Sequence, residues 1–180
     1  MHKAVFLDRD GTIIEDPGYL SRPEQVRFLP GAIEGLKKIQ EAGYLLVIIT
    51  NQSGIARGYF TEDDLKKVHD YLTEQLNGQG INLTGIYYCP HHPEKGYPPY
   101  VKKCRCRKPG SALLERAAEE LKIDLAASWM IGDKASDVLA GKRAGCRTVL
   151  IAGQAAADCQ PDWLASDLEA AYLKIKGDFS

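Results

Sequence analysis

Short apolar runs alternate with segments of helical periodicity along most of the chain. Apolar residues that recur every three or four positions predict amphipathic helices, near residues 30–43, 61–76, 111–121, 138–144 and 166–175. The other runs are short and continuously apolar, as in strands buried on both faces of a sheet, and cover residues 5–7, 44–50, 85–89, 129–132 and 148–151. Strands that alternate with helices pair in parallel, so the pattern predicts an α/β fold with a doubly wound, Rossmann-like parallel sheet.

The chain shows no internal repeat and no low-complexity linker, and its 180 residues are enough for one well-buried core. We therefore expect a single domain over residues 1–180. Two stretches, 15–28 and 89–107, do not follow the alternation and predict loops. Residues 155–162 carry the weakest pattern and predict a mobile loop.

Composition narrows the class of protein. The formal net charge is −1, so no overall field would attract nucleic acid or an anionic membrane. The first apolar run ends at Asp8, and no run reaches the length of a signal-peptide core or a membrane span. Five cysteines, three of them clustered, fit a metal site in a cytoplasmic protein better than a secreted disulfide framework. We expect a cytoplasmic monomer.

Two carboxylates follow the first predicted strand, in Asp8-Arg9-Asp10-Gly11-Thr12. Asp8 and Asp10 lie on the same side of an extended chain, and Gly11 permits a tight turn. Carboxylates this close need a cation or a shared proton, and open α/β sheets hold their ligands at the carboxyl ends of strands. An Asp-x-Asp pair is also common in solvated turns, so the pair alone favours a polar turn with two solvated aspartates.

Three later segments favour chemistry at this pair. They are Ile48-Ile49-Thr50-Asn51-Gln52, then Arg107-Lys108-Pro109, then Met130-Ile131-Gly132-Asp133-Lys134 with Asp137. In this order the four segments resemble the motifs of the haloacid dehalogenase superfamily of phosphotransferases, over about residues 4–151. The resemblance implies the Rossmann-like fold of that superfamily. Because 15–28 and 89–107 are too short for the cap domains that some members insert there, we expect a capless, open site with short specificity loops.

The resemblance implies a role for each motif residue. Asp8 is expected to be the nucleophile that forms an aspartyl-phosphate. Asp10 is expected to protonate the leaving alcohol and then to act as base for the hydrolytic water. Mg²⁺ prefers oxygen ligands and is expected on Asp8, Asp133 and the backbone carbonyl of Asp10. Asp137, one helical turn further on, is expected to orient the site or the water molecules on Mg²⁺.

Phosphoryl transfer depends mainly on positioning and charge neutralisation. The resemblance implies that Lys108 supplies a fixed positive charge and Thr50 a hydroxyl beside the phosphate. Taken singly, Lys108 is more typical of a solvated surface lysine and Thr50 of a strand-end cap, whereas the ordered motifs favour catalysis. Polar and cationic loop residues are the candidates for binding a substrate, and we predict this role for Arg9, Asp16, Tyr19, Asn51, Gln52, Ser53, Arg107 and Lys134.

Two short motifs, Cys89-Pro90-His91 and Cys104-Arg105-Cys106, predict a zinc site. Three thiols and an imidazole can close a tetrahedral site, and the glycine- and proline-containing loop between them has little to bury. The motifs predict a structural Zn²⁺ in a loop over about 89–106, just before Arg107 and Lys108. Unmetallated cysteines are the alternative, and we predict that state for Cys146 and Cys159, with His92 a neighbour rather than a ligand.

The stretch Thr50-Asn51-Gln52-Ser53-Gly54-Ile55-Ala56-Arg57-Gly58, together with the thiol motifs, resembles the heptose bisphosphate phosphatases. This family belongs to the same branch as the histidinol-phosphate phosphatases. The resemblance implies removal of the 7-phosphate from the sugar bisphosphate D-glycero-D-manno-heptose 1,7-bisphosphate. It also implies a role in making nucleotide-activated heptose for lipopolysaccharide or other surface glycans. The anomer of the substrate stays open.

Three alternative functions remain: two are phosphatases that act on other substrates, and one is a binding module without enzymatic activity. Histidinol-phosphate phosphatase is the nearest, because both families can carry the thiol motifs. A nucleic-acid 3′-phosphatase would need a basic stripe or a stacking platform, and the near-neutral charge argues against it. A zinc-knuckle binding module with degenerate enzyme motifs conflicts with the complete set of Asp8, Asp10, Thr50, Lys108 and Asp133.

Overall fold

A computed structural model describes residues 1–151 and 156–177 of the chain. Within these residues, six strands form one sheet in the order β3-β2-β1-β4-β5-β6, and all neighbouring strands pair in parallel. The strands are β1 (Ala4–Leu7), β2 (Leu45–Asn51), β3 (Leu83–Cys89), β4 (Trp129–Gly132), β5 (Arg147–Ile151) and β6 (Trp163–Ala165). The helices are α1 (Ala32–Glu41), α2 (Glu62–Gly78), α3 (Ala112–Leu121), α4 (Ala135–Ala144), α5 (Ala156–Cys159) and α6 (Leu168–Gly177).

Helices cover both faces of the sheet. Val5 and Leu7 of β1 pack with residues of α1, α2 and α6 on one face, whereas Ala4 and Phe6 pack with residues of α3 and α4 on the other. Burial on both faces explains why β1 has no polar alternation. The predicted doubly wound parallel fold is confirmed.

The strand order reverses at β1, because the chain runs outward through β2 and β3 and then returns to β4 on the other side of β1. In open α/β sheets a crevice forms at such a reversal, beyond the carboxyl ends of the strands. The motif residues Asp8 and Asp133 directly follow β1 and β4. The fold therefore brings two distant motifs to the same crevice.

In the loops and near the end of the chain, the structure differs in detail from the predicted secondary structure. Residues 15–28 contain one short 3₁₀ turn, Pro23–Gln25, and residues 90–107 contain neither helix nor strand. The predicted loop 155–162 contains helix α5, and residue 155 lies outside the described residues. The sequence pattern missed strand β6, because Trp163 and Leu164 are both exposed and three residues show no periodicity.

The last helix begins at Leu168 rather than at 166. The Asp167 carboxylate caps it by accepting a hydrogen bond from the Ala170 N–H at 2.8 Å, the usual role of an N-cap aspartate. None of the helices in the two described segments combines the length and the apolar character needed to cross a bilayer.

Candidate active site

Three carboxylates, from Asp8, Asp133 and Asp137, form a cluster that we call the carboxylate cluster. Their oxygens lie within 4.8 Å of one another. The backbone N–H of Asp8 donates to the Ile131 carbonyl of β4 at 2.9 Å, which fixes the end of β1 against its neighbour. Asp137 lies in the first turn of α4, and its Oδ2 accepts from the backbone N–H of Lys134 at 3.0 Å. The positions of all three carboxylates are therefore set by strand ends and a helix start.

Two glycines allow the close approach of these carboxylates to the backbone. A Cβ on Gly11 would lie 2.3 Å from Asp133 Oδ2, and a Cβ on Gly132 would lie 2.2 Å from Asp137 Oδ2. Gly11 also has a φ of +82°, a conformation that favours glycine. A side chain at either position would displace a carboxylate.

Lys108 is buried against the carboxylate cluster. Its ammonium group donates to Asp8 Oδ1 at 2.8 Å and to the Ile49 carbonyl at 2.7 Å, and it forms an ion pair with Asp137 Oδ1 at 2.6 Å. Burial alone lowers the pKa of Lys108, but Asp137 and Asp8 outweigh it and raise that pKa above its usual value. The lysine is therefore a fixed positive charge directly beside Asp8.

The backbone of Lys108 is held by Asn51 at the end of β2. Asn51 Oδ1 accepts from the Lys108 N–H at 3.0 Å, and Asn51 Nδ2 donates to the Lys108 carbonyl at 3.1 Å. We predicted that Asn51 binds substrate. Independently of that prediction, its side-chain amide fixes the loop that carries Lys108 to the site.

Asp10 is held by a different set of side chains. Arg9 donates through Nε to Asp10 Oδ1 at 3.1 Å and through Nη2 to Oδ2 at 2.9 Å. Gln52 Nε2 donates to Asp10 Oδ2 at 3.1 Å and to the Thr50 hydroxyl at 2.8 Å. Burial raises the pKa of Asp10, and the Arg9 charge only partly offsets this. The carboxyl therefore keeps its proton to a higher pH than a solvated aspartate does.

The carboxylate cluster fits a hard cation. Asp133 Oδ1 is buried and has no hydrogen-bond partner among the described residues. Burial raises the pKa of Asp133 to about 7 and that of Asp137 to about 6, and the nearby Asp8 charge adds to both shifts. A divalent cation would neutralise this repulsion and supply the missing partner for Asp133. The oxygen donor set suits Mg²⁺.

A cleft of about 530 Å³ lies over these groups. The predicted site residues that line it are Asp8, Asp10, Asp16, Tyr19, Asn51, Gln52, Ser53, Arg107, Lys108, Lys134 and Asp137. Among the residues predicted for catalysis, substrate binding or Mg²⁺, three are not in its lining: Arg9, Thr50 and Asp133. Thr50 is buried, with its hydroxyl bonded to Gln52.

The Arg9 side chain differs most from expectation. It is 0 % exposed and donates through Nη1 to His69 Nε2 at 3.0 Å, in addition to its bonds with Asp10. Our expectation that Arg9 binds substrate can therefore apply only to its backbone. The side chain belongs to the support of Asp10.

The rim of the cleft is polar and aromatic. Asp16 Oδ2 lies 3.6 Å from Lys134 Nζ, across the cleft entrance. Tyr19 packs edge-to-face on Tyr59, with ring centroids 4.7 Å apart, and the Arg57 guanidinium lies 5.6 Å from the centroid of Tyr19. This rim offers hydroxyl, carboxylate and cationic groups to a polar substrate.

Cys89, His91, Cys104 and Cys106 form a second group, which we call the thiol cluster. Their ligand atoms all lie within 4.8 Å of one another. The three sulfur–sulfur distances are 3.1, 3.2 and 3.5 Å, and none of these cysteines is in a disulfide. Three sulfurs and one imidazole nitrogen in this arrangement form a donor set that suits tetrahedral Zn²⁺.

Residues predicted to lie outside the thiol cluster do so. Cys146 and Cys159 are buried elsewhere in the fold, and neither forms a disulfide. The Nδ1 atom of His92 accepts from the backbone N–H groups of Glu94 and Lys95, at 3.1 and 2.9 Å. His92 therefore shapes its own turn.

The thiol cluster is joined directly to the cleft. Arg107 Nη1 donates to the carbonyl of His91 at 3.3 Å, and Arg107 lines the cleft. On the other side of the loop, the Tyr97 N–H donates to the Ala56 carbonyl at 2.8 Å. The loop over 89–106 therefore contacts the cleft wall at Arg107 and also contacts Ala56, in the segment that follows the cleft residues Ser53 and Gly54.

Two residues near the reacting groups, His69 and Ser136, were not among the predicted site residues. His69 lies on α2 one turn after Leu65, within its buried stripe, and a polar residue on such a stripe was an available signal. Ser136 lines the cleft from the first turn of α4, and nothing in the sequence distinguishes it from a solvated serine.

Comparison with known proteins agrees with this geometry. A family model described as HAD-hydrolase-like matches residues 105–171. The D-glycero-beta-D-manno-heptose-1,7-bisphosphate 7-phosphatase of Pasteurella multocida is 50% identical over 84% of this chain and 82% of its own length. The D-glycero-alpha-D-manno-heptose-1,7-bisphosphate 7-phosphatase of Photorhabdus laumondii is 43% identical, over 79% of this chain and 78% of its own.

A solved structure extends the similarity over nearly the whole chain. The D,D-heptose 1,7-bisphosphate phosphatase of B. bronchiseptica, complexed with magnesium and phosphate, matches with a TM-score of 0.83 and 29% identity. The match covers 98% of this chain and 99% of that one. The chain therefore belongs to the heptose-1,7-bisphosphate 7-phosphatase family of the haloacid dehalogenase superfamily.

Proposed function

We propose that this chain hydrolyses the 7-phosphate of a D-glycero-D-manno-heptose 1,7-bisphosphate. The observation that carries the chemistry is the buried Asp8 carboxylate, 2.8 Å from the Lys108 ammonium and beside two further carboxylates. Relatives named for this activity support the choice of substrate, and they include enzymes named for either anomer.

The chain's own residues account for both halves of the reaction. Asp8 attacks phosphorus, the bond between phosphorus and the C7 oxygen breaks, and Asp10 gives its proton to the leaving alkoxide. An aspartyl-phosphate remains on Asp8. Asp10 then takes a proton from water, the water oxygen attacks phosphorus, and inorganic phosphate leaves with Asp8 regenerated. Lys108 stays charged throughout and stabilises the phosphoryl oxygens.

Asp8, Asp133 and the backbone carbonyl of Asp10 are the residues that would hold Mg²⁺. When bound, Mg²⁺ supplies the charge that lets an anionic nucleophile approach an anionic phosphate. The magnesium and phosphate complex of the B. bronchiseptica relative supports this choice of metal. Asp137 serves the site by holding Lys108, with 2.6 Å between Asp137 Oδ1 and Lys108 Nζ.

The thiol cluster would hold a structural Zn²⁺ that fixes the loop over 89–106. Four protein ligands close a tetrahedral site and leave no position for substrate. The hydrogen bond from Arg107 to the His91 carbonyl supports a role in positioning the cleft wall.

The substrate contacts that we propose involve side chains that line the cleft and are not already hydrogen-bonded to the catalytic residues. The amides of Asn51 and Gln52 are engaged with Lys108 and Asp10, so they act on the substrate through those two residues. Asp16, Tyr19 and Ser53 offer contacts to sugar hydroxyls, while Arg107 and Lys134 offer positive charge to the second phosphate.

The product, a heptose 1-phosphate, suits a following nucleotidyl transfer, so we place the reaction in the cytoplasmic supply of activated heptose. The experiment measures phosphate release from both anomers of the heptose bisphosphate, histidinol phosphate, other sugar phosphates and nucleotides, with Mg²⁺ or with chelator. We expect the highest kcat/KM for one heptose anomer, and no turnover without Mg²⁺. A higher kcat/KM for histidinol phosphate would transfer the function to that substrate.

A further inference from the structure

We infer that His69 is a positioning residue for the general acid, because it fixes the Arg9 guanidinium that orients the Asp10 carboxylate. The inference rests on the proposed function, in which Asp10 protonates the leaving group. Three hydrogen-bond distances define the chain of contacts: 3.0 Å from Arg9 Nη1 to His69 Nε2, and 3.1 and 2.9 Å from Arg9 to the two Asp10 oxygens.

The Arg9 side chain is buried, and its N–H groups point at defined acceptors on His69 and Asp10. The bidentate pair with Asp10 fixes the plane of that carboxylate relative to the guanidinium. Because arginine only donates, Nε2 of His69 must be the acceptor, and the ring proton lies on Nδ1. Burial lowers the pKa of His69 to about 3, and the charge of Arg9 adds to this shift. His69 therefore stays a neutral acceptor at neutral pH.

His69 itself is anchored in a rigid element. Helix α2 begins with a reciprocal cap, in which the Thr61 hydroxyl accepts from the Asp64 N–H at 3.1 Å and Asp64 Oδ2 accepts from the Thr61 N–H at 2.9 Å. Leu65, Val68 and Leu72 on the same helix are completely buried. The contact chain therefore links the turn that carries Asp10 to a helix whose position the core determines.

Loss of the acceptor would have a specific consequence. A buried guanidinium N–H without a partner is costly, so Arg9 would turn toward another acceptor and change the orientation of Asp10. Gln52 would be left as the other side-chain donor to Asp10. Proton transfer depends steeply on the position of the acid, whereas attack by Asp8 does not require that acid when the leaving group is already stable as an anion.

The test compares two leaving groups in three variants, His69→Leu, His69→Asn and His69→Gln. Only Gln places an acceptor atom about as far from the backbone as the Nε2 atom of histidine. Single-turnover cleavage of the sugar bisphosphate reports attack by Asp8 on a substrate whose leaving alkoxide needs a proton from Asp10. The p-nitrophenolate burst from p-nitrophenyl phosphate reports the same attack with a leaving group that needs no proton. We expect Leu and Asn to slow sugar-phosphate cleavage about tenfold at little changed KM, with Gln close to wild type. The burst rate should change by less than about twofold in all three variants.

Val68→Ala is the matched control, because it removes buried packing from the same helix without touching Arg9. It should lower the melting temperature and leave the ratio of the two rates unchanged. If His69→Leu fails to fold, the pair of Asn and Gln variants decides the question. If p-nitrophenyl phosphate reacts too slowly, the difference between Asn and Gln on the sugar phosphate decides it.

Equal losses on both substrates, or equal rates for the Asn and Gln variants, would overturn the inference. The proposed function fails separately, through a wild-type protein that releases no phosphate from any sugar phosphate in Mg²⁺.

Discussion

The carboxylate cluster and the thiol cluster both begin at carboxyl ends of strands in the same sheet, yet they are supported differently. Asp8 and Asp133 directly follow central strands, and Asp137 lies in the first turn of α4, so the folded core fixes all three. In the thiol cluster only Cys89 belongs to a strand, and its partners lie on a loop without helix or strand. Regular elements position every member of one cluster, whereas in the other the core buries Cys89 and only partly buries Cys104 and Cys106, which lie on the loop.

This difference indicates what each metal would contribute. A cation on the carboxylate cluster would neutralise charge in a site that is already shaped, so its loss should stop chemistry and leave the fold intact. A cation on the thiol cluster would hold a loop in place. Its loss should reach the reaction only through the cleft wall that the loop supports.

Asp8→Asn should give the largest effect, because an amide does not attack phosphorus. We expect turnover to fall about 10⁴-fold or more, with a melting temperature near that of wild type. Phosphate release at saturating Mg²⁺ measures this. Asp10→Asn is the matched control, since it should be severely impaired and still accumulate a phosphoenzyme visible by mass spectrometry. Turnover near the wild-type rate in Asp8→Asn would show that another group is the nucleophile.

Lys108→Ala and Arg107→Ala should separate the rigid site from the loop-supported wall. Lys108 is buried on the nucleophile, so its loss should lower kcat about 100-fold, the scale of one electrostatic donor to a developing charge. Arg107 lies on the cleft wall and should mainly raise KM, by about tenfold. Steady-state kinetics on the heptose bisphosphate measure both. Small and equal changes in kcat and KM for the two variants would contradict the division.

Cys104→Ala tests the thiol cluster directly. Wild-type protein should contain about one zinc ion per chain, and the variant should contain none, because three ligands no longer close the site. Activity should fall about tenfold with Mg²⁺ present, through misplacement of Arg107 on the cleft wall. Metal analysis and limited proteolysis within 89–106 check this, and Cys146→Ala, a buried thiol outside the cluster, is the matched control. Full activity and an intact loop in zinc-free protein would show that the cluster has no structural metal role.

The contrast between the clusters also explains what the sequence could predict. Asp8 and Asp133 follow apolar runs, so their juxtaposition followed from parallel strands that end at one edge, whereas the place of Lys108 beside them was implied by the resemblance of its motif. The fold and the family were predicted on these grounds and are confirmed. The metal ligands and substrate contacts stay predictions, although the structure brings together the side chains of Asp8 and Asp133, and likewise those of the four predicted zinc ligands.

Side-chain contacts that depend on tertiary packing could not be predicted from the order of strands and motifs. Arg9 and His69 are 60 residues apart, and no local pattern pairs a residue of the first loop with one on α2. In the same way, the sequence does not show that the loop carrying Lys108 packs against Asn51 and engages its side-chain amide. Local periodicity predicts elements, whereas these contacts depend on how the elements pack.

The smallest expected effect is a pH dependence of Mg²⁺ binding. In metal-free protein, burial raises the pKa of Asp133 to about 7, so the folded state holds this proton more tightly than the unfolded chain does. The stability that this proton contributes is complete at low pH and is lost as the pH rises through 7. Mg²⁺ must displace the proton, so its Kd should rise about tenfold per pH unit below 7.

The measurement is the melting temperature between pH 5.5 and 8, with Mg²⁺ and with chelator. Without metal, we expect the contribution of Asp133 to stability to fall with rising pH, and the stabilisation by Mg²⁺ to grow over the same interval. Asp133→Asn should remove most of both trends, because an amide neither titrates nor repels Asp8. Cys104→Ala should keep the Mg²⁺-dependent trend of the wild type, because it changes none of the carboxylates. A Mg²⁺ stabilisation that is constant across this pH range would place the cation away from the carboxylate cluster.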